Sequence, residues 1–145
     1  MTNTPFGTTI TAADIIDTLG FFDTWEERYK YIIDLGKELP AMADAKKDDA
    51  HLVRGCQSQV WIDSSIDNDR LWFETDSDAF IVKGLLGVIL AAYNGKTAEE
   101  VLAFDIEQYF QQLDLLRHLS QTRGNGLRAM VGRIRTMAEE VRASA

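Results

Sequence analysis

The sequence predicts an α+β fold in which helices pack on one face of a small antiparallel sheet. Apolar residues recur at helical spacing before residue 40, alternate near residue 60, and return to helical spacing after residue 79. Helices, then a hairpin, then helices is an order typical of α+β domains. No repeat or linker divides the 145 residues, so we expect a single domain over 1–145, with 1–9 as a flexible N-terminal extension.

Two helices are predicted before the hairpin. The first begins after Thr11, because Asp14 stands three residues later in the arrangement of a capping box. The second begins after Thr24, has acidic residues in its first turn and ends before Pro40. Residues 42–49 are polar and charged, so we expect a loop that leads toward the sheet.

The hairpin is predicted from a change in the spacing of apolar residues, from helical spacing to alternation. Residues 60–63 alternate as in a strand, 67–69 (Asp-Asn-Asp) supply turn chemistry, and 71–74 continue as the second strand. Ser77 is expected to cap the next helix, 79–93. That helix is apolar around most of its circumference, which predicts burial.

The C-terminal part is predicted to be helical again. Thr97 opens a short helical turn, and residues 106–119 mix helical and loop patterns. Thr122 is expected to cap the last helix. Apolar residues from Leu127 to Val141 recur there every three or four positions, so one face of this helix is expected to pack on the core.

The charge and the termini exclude several functional classes. The formal net charge is −8, from 15 Lys and Arg against 23 Asp and Glu, and such a field repels nucleic acid and anionic membranes. The N-terminus lacks the pattern of a secretory signal, and the longest apolar stretch, 85–93, is far too short to span a bilayer. We therefore expect a cytoplasmic protein, where a lone thiol stays reduced.

The single cysteine, Cys56, is the most informative candidate site. One thiol excludes an intramolecular disulfide and a cysteine-rich zinc site. Two interpretations remain: a buried small hydrophobe, or a reactive thiol that works with another molecule. Gly55 permits an unusual backbone conformation beside it, and Arg54 is expected to lower the pKa of the thiol, since a nearby cation favours the thiolate.

Three other patterns are weaker candidates. His51 and His118 raise the hypothesis of a cysteine hydrolase, but the sequence places neither beside the thiol. Residues 124–129 match a loose dinucleotide-binding fingerprint without the strand that should precede it, so their glycines are expected to shape the start of the last helix and to leave Arg123 exposed at a turn. Residues 76–78 (Asp-Ser-Asp) suit a helix N-terminus better than a metal site.

Four sequence blocks carry a resemblance to a known family. They are GCQSQVW at 55–61, DSDA at 76–79, IVKGL at 81–85 and RGNGL at 123–127. In this order they resemble the SufE family of sulfur-acceptor proteins, including its CsdE branch, and the likeness runs from about residue 10 to about residue 138. Residues 5–9 resemble the CsdE branch, while 56–59 resemble SufE itself. The resemblance therefore implies a partner desulfurase of either the SufS or the CsdA type.

The resemblance implies a fold similar to the IscU-type scaffold and a role for individual residues. Cys56 matches the persulfide-bearing cysteine, on a loop at one end of the sheet. Gly55 and Ser58 belong to the same block and would support it. Arg123 matches an arginine near that site, and Asp76 matches an acidic position on the surface that faces the desulfurase.

The implied role is that of a sulfur carrier that stimulates a cysteine desulfurase and has no turnover alone. It would pass sulfur to an iron–sulfur scaffold or another acceptor and need no cofactor of its own, since pyridoxal phosphate on the partner cleaves the carbon–sulfur bond. Whether the chain forms a homodimer is left undecided by the sequence. We also expect apolar neighbours to shelter Cys56 until the partner docks.

Two alternatives belong to other functional classes. The first is a free-standing cysteine enzyme, either a hydrolase or a thiol oxidoreductase, which would need a histidine or a second thiol within reach of Cys56. The second is a structural adaptor whose cysteine is inert.

Overall fold

The computed structural model describes residues 4–144 and confirms the α+β class. Its elements in chain order are α1 (Ala12–Phe21), α2 (Trp25–Gly36), β1 (Val60–Asp67), β2 (Arg70–Ser77), α3 (Phe80–Tyr93), β3 (Lys96–Thr97), α4 (Ala98–Ala103), α5 (Ile106–Leu113) and α6 (Gln121–Ser144). Single turns of 3-10 helix lie at Asp44–Lys46 and Leu116–His118.

The sheet is antiparallel, with strand order β1-β2-β3. Asp67 pairs with Arg70 across a two-residue turn in which Asn68 and Asp69 both have positive φ, as a tight hairpin requires. The predicted hairpin and its turn are therefore confirmed. The pattern did not reveal β3, because two residues are too few to show alternation.

Helix α3 is the centre of the core, and α2 packs closely against it. Eleven of its 14 residues are buried, which accounts for its apolar character on every side. The contact with α2 depends on Gly84, where an added Cβ would lie 2.1 Å from the carbonyl oxygen of Ile32. Only a glycine lets the two backbones approach this closely.

The long helix α6 covers the same core with one face. Its buried residues include Leu127, Met130 and Ile134, at the spacing that the sequence predicts. Its other faces carry charged side chains. Among residues 4–144, no helix combines the length and the apolar composition needed to cross a membrane.

Three helix starts agree with the predictions, including that of α4, which Thr97 caps, and two differ. Thr11 and Thr24 cap α1 and α2, each accepting a hydrogen bond from a backbone N–H in the first turn. Ser77 is not the cap of α3: that position is Ala79, and the Ser77 hydroxyl instead donates to the carbonyl of Gln59 at 2.7 Å. The Ser77 Oγ also accepts from the N–H of Ala79 at 3.3 Å, but Ser77 stands two residues before that cap position and makes no hydrogen bond to the first turn of the helix.

Helix α6 also begins earlier than predicted. Thr122 lies inside the helix, and the backbone N–H of Arg123 donates to the hydroxyl of Ser120 at 3.2 Å. The glycines of 124–129 are consequently helical and do not shape a turn before it, while Arg123 is half-buried in the first turn. The prediction of an exposed Arg123 at a turn is wrong, because the packing of α6 against the core extends the helix through these glycines.

The N-terminal segment is packed where a flexible extension was expected for 1–9. Residues 1–3 lie outside the described residues. Phe6 is fully buried, and its carbonyl accepts a hydrogen bond from Asn94 Nδ2 at 3.2 Å. The Oδ1 of Asn94 accepts from the backbone N–H of Phe73 at 2.9 Å. One buried amide thus joins this segment to β2, a long-range contact that has no local sequence signal.

Candidate functional site

Cys56 lies on a short loop that leads into β1. The backbone N–H of Val53 donates to the carbonyl of Val60 at 2.8 Å, and the N–H of Ile62 donates to the carbonyl of His51 at 2.9 Å. These bonds hold the two ends of the loop together, so residues 54–59 form its tip. Gly55 has a φ of +93°, a conformation that L side chains rarely adopt and that turns the chain toward Cys56.

The thiol is half-buried against helix α6. Cys56 packs against the hydrophobic core, and its Sγ donates to the carbonyl of Gly126 at 3.5 Å. A Cβ at Gly126 would lie 3.7 Å from Sγ, an ordinary van der Waals contact, so any larger side chain there would compete for the space beside the thiol. The expected shelter from apolar neighbours is therefore present.

Burial raises the pKa of the Cys56 thiol. The prediction that Arg54 lowers this pKa is wrong. Arg54 is exposed, where solvent screens its charge, whereas the partial burial of the thiol disfavours the thiolate directly. The isolated protein therefore holds Cys56 as a neutral thiol of low intrinsic reactivity at neutral pH.

A pocket of about 40 Å³ adjoins the thiol. Its lining comes from the cysteine loop, from α3 and from the beginning of α6: Cys56, Gln57, Ser58, Val60, Val82, Ser120, Thr122, Arg123, Gly126 and Met130. Space of this size accommodates one or two atoms, since one water takes about 30 Å³. The structure thus brings Cys56, Ser58 and Arg123 to the lining of one pocket.

Asp76 does not line this pocket. It lies on β2 opposite Trp61, and its carboxylate contacts Lys47 at 2.7 Å and Lys83 at 3.3 Å. Burial alone would raise the pKa of Asp76, but the hydrogen bonds from Lys47 and the Ser77 backbone, together with Lys83, lower it below the usual value. The carboxylate is thus engaged within the chain by two lysines.

Asp78 contributes to the site in a way that the sequence did not indicate. Its Oδ1 accepts from the backbone N–H of Gln59 at 3.0 Å, and its own N–H donates to the carbonyl of Gln59 at 3.3 Å. These bonds join the cysteine loop to the segment before α3. The Asp-Ser-Asp pattern pointed to a helix N-terminus, and only the pairing of β1 with β2 places this carboxylate beside Gln59.

Neither histidine approaches the thiol. His51 contacts Asp48 at 2.7 Å and Asp63 at 3.4 Å, and His118 stacks on Trp25 with ring centroids 3.9 Å apart. Within residues 4–144, Cys56 has no hydrogen bond to an imidazole, and no cluster of His, Cys, Asp and Glu side chains could hold a metal ion.

A larger groove of about 810 Å³ lies at the other end of the sheet. It is bordered by the hairpin near Ile66 and by the end of α6 near Val141. Its lining includes neither Cys56 nor a histidine, so the groove is separate from the thiol site. Its size alone does not make it the chemical site.

Comparisons with known proteins agree on one family. The sequence model of the family described as SufE, Fe-S metabolism associated domain, matches residues 13–138. An uncharacterised SufE-like protein of Rhizobium etli is 47% identical over 135 residues, which covers 90% of each chain. The sulfur acceptor protein CsdE of Escherichia coli K12 is 41% identical over 127 residues, which covers 87% of this chain and 86% of that protein.

A solved structure shares the fold. The solution structure of a hypothetical protein from Thermus thermophilus superposes with a TM-score of 0.75, covering 91% of this chain and 96% of that one. At 15% identity, this likeness concerns the fold alone.

Proposed function

The chain belongs to the SufE family, and from this membership we propose that it accepts persulfide sulfur from a cysteine desulfurase onto Cys56 and passes it on for iron–sulfur cluster assembly. The observation that carries the proposal is the position of the single cysteine. It lies half-buried beside a pocket for one or two atoms, in a chain similar to a protein named as a sulfur acceptor.

The transfer is a thiol–disulfide exchange applied to a persulfide. Cys56 loses its proton, and the sulfur attacks the terminal sulfur of the persulfide on the partner. The partner's S–S bond breaks as a new S–S bond forms on Cys56, and the partner's thiolate leaves and takes up the proton. Atoms and electrons balance without an added oxidant or reductant.

The pocket supports the storage of the transferred sulfur. A persulfide adds one sulfur atom to the side chain, and the space beside Sγ is of that order. Arg123 borders this space and would favour the anionic persulfide, while Ser58 could donate a hydrogen bond to it. Partial burial would slow attack by other thiols on the stored sulfur.

The partner supplies the chemistry that this chain does not. Pyridoxal phosphate on a desulfurase of the SufS or CsdA type cleaves the carbon–sulfur bond of cysteine, and this chain acts as carrier and activator. An iron–sulfur scaffold or another acceptor then takes the sulfur. A reducing cytoplasm would keep Cys56 available between transfers.

The test is to incubate the protein with a desulfurase and cysteine and to measure its intact mass without reductant. We expect the mass to increase by one sulfur atom, and the increase to be absent in Cys56→Ser. Alkylation of Cys56 should be slow in the isolated protein and accelerate when the desulfurase is added. Absence of added sulfur, or its persistence in Cys56→Ser, would overturn the proposal.

The alternatives make different predictions in the same experiment. A hydrolase or thiol oxidoreductase would act without the desulfurase, and neither histidine lies in position to activate Cys56. An adaptor with an inert cysteine would stimulate the desulfurase equally well as Cys56→Ala.

A further inference from the structure

Phe80 is a large apolar side chain left in solvent at the first residue of α3. It is 75% exposed. Phe80 does not cap the helix, because the cap position is Ala79. An aromatic ring in water also contributes little to the stability of the fold. Exposure of the ring to water is unfavourable in free energy, and burial against a partner would remove this cost.

Phe80 lies at the same end of the molecule as the thiol. Asp78, two residues before it, is hydrogen-bonded to Gln59, three residues after Cys56. Val82, two residues after it, lines the pocket of Cys56. The first turn of α3 and the cysteine loop therefore form adjacent parts of one surface.

The exposed charges on the surface between them are one of each sign, Arg54 and Asp78, although the chain has a net charge of −8. With Arg54 and Asp78 as the exceptions, the exposed residues of this surface are uncharged: Gly55, Gln57, Gln59, Phe80, Ser120, Gln121 and Thr122. The carboxylate of Asp78 is engaged by the N–H of Gln59. Depletion of charge around an exposed aromatic residue is typical of the core of a protein interface.

Sulfur transfer requires a partner to cover this surface. The attacking and donating sulfur atoms must come into bonding contact, and an ordinary interface buries about 800 Å² on each partner, a patch about 30 Å across. We propose that Phe80 is the apolar anchor that the sulfur-donating desulfurase receives in a pocket beside its own persulfide-bearing cysteine. This inference rests on the proposed function and names a residue that sets affinity for the partner.

The experiment compares Phe80→Ala with Phe21→Ala as a matched control. Phe21 is 81% exposed at the end of α1 and is followed by Asp23, Glu26 and Glu27. The carbonyl of Phe22 accepts from Arg28 near the beginning of α2, whereas α3 starts beside Gly36 at the end of α2. Phe21 thus lies near the beginning of α2, which is about 18 Å long over 12 residues, and the first turns of α3 lie near its end.

The measurement is the concentration of each variant that gives half-maximal stimulation of the desulfurase. For Phe80→Ala we expect this concentration to rise about tenfold or more, the effect of losing one interface anchor. Phe80→Leu should retain part of the affinity, and Phe21→Ala should behave as wild type. The maximal stimulation and the alkylation rate of Cys56 without partner should be unchanged in all three variants.

The outcomes separate this inference from the proposed function. If wild type takes up sulfur and Phe80→Ala has an unchanged half-maximal concentration, the anchor is refuted while sulfur transfer stands. The anchor is also refuted if Phe80→Ala changes only self-association, measured by light scattering, since the ring would then contact a second copy of the chain. A wild-type protein that takes up no sulfur overturns both proposals.

Discussion

At the residue scale, Cys56 is held in a state of low reactivity. Its thiol is half-buried, and burial raises its pKa, so the neutral form predominates at neutral pH. In the transfer that we propose, negative charge appears on sulfur, and Arg123 in the lining of the same pocket would favour it. Such a site suits a sulfur carrier, because a thiol that reacts slowly with other molecules stays unmodified until the partner binds.

The rate of alkylation of Cys56 should report this pKa. In the folded protein, the rate should rise with pH to a midpoint above the value of about 8.5 for an unperturbed thiol, because burial disfavours the thiolate. The control is the same protein unfolded in urea, where the midpoint should return to the ordinary value. A folded midpoint at or below the unfolded one would contradict the prediction.

At the element scale, the loop before β1 is held on the sheet by ion pairs. Lys46 contacts Asp63 at 3.2 Å and Glu74 at 2.7 Å, and Lys47 contacts Asp76 at 2.7 Å. Lys83, on α3, contacts the same Asp76 carboxylate. Asp76 therefore joins the loop, β2 and α3 close to the place where the cysteine loop begins.

Replacement of Asp76 by Asn should lower the stability of the fold by about 1–2 kcal/mol at pH 7, since charge-assisted hydrogen bonds are lost. The folded pKa of Asp76 is lowered, so its contribution is present above the unfolded pKa of about 3.9 and is lost as pH falls through the folded pKa. Urea unfolding between pH 7 and pH 2 should therefore show the difference shrinking with acidity.

The matched control is Asp69→Asn, at the exposed hairpin turn where both residue types tolerate positive φ. This variant should match wild type across the pH range. A difference for Asp76→Asn that is independent of pH would contradict the assignment of its stabilising role to the ionised carboxylate.

At the scale of the whole molecule, the pocket exists only because distant segments meet. The cysteine loop, α3 and the beginning of α6 each supply one wall, and the carbonyl that accepts from Cys56 lies 70 residues further along the chain. The absence of a side chain at Gly126 leaves the space open. A change on α6 should therefore alter the chemistry of a thiol far from it in sequence.

Replacement of Gly126 by Val should fill the pocket and reduce sulfur loading of Cys56 by about tenfold or more, because small displacements of reacting atoms have effects of that size. Gly132→Val is the control, since an added Cβ there meets no atom within 4 Å and the change in helix propensity is similar. Mass spectrometry after exposure to the desulfurase measures the loading, and equal loading of both variants would refute the role of the open space.

The sequence by itself determined the α+β class, the hairpin with its turn, the caps at Thr11 and Thr24, and Cys56 as the single thiol. These features depend on local spacing, side-chain chemistry and residue counts, which a linear pattern contains. The same holds for the family, whose sequence model covers residues 13–138.

Only the tertiary structure decided the state of the thiol. The pKa of Cys56 depends on what covers it, and the cover comes from α6, whereas its sequence neighbour Arg54 points to the opposite shift. Packing likewise placed Arg123 at the pocket, Phe6 in the core and the Asp78 carboxylate on Gln59. Desolvation and contact between distant segments arise from the packing of elements, and the spacing of residues along one chain does not specify them.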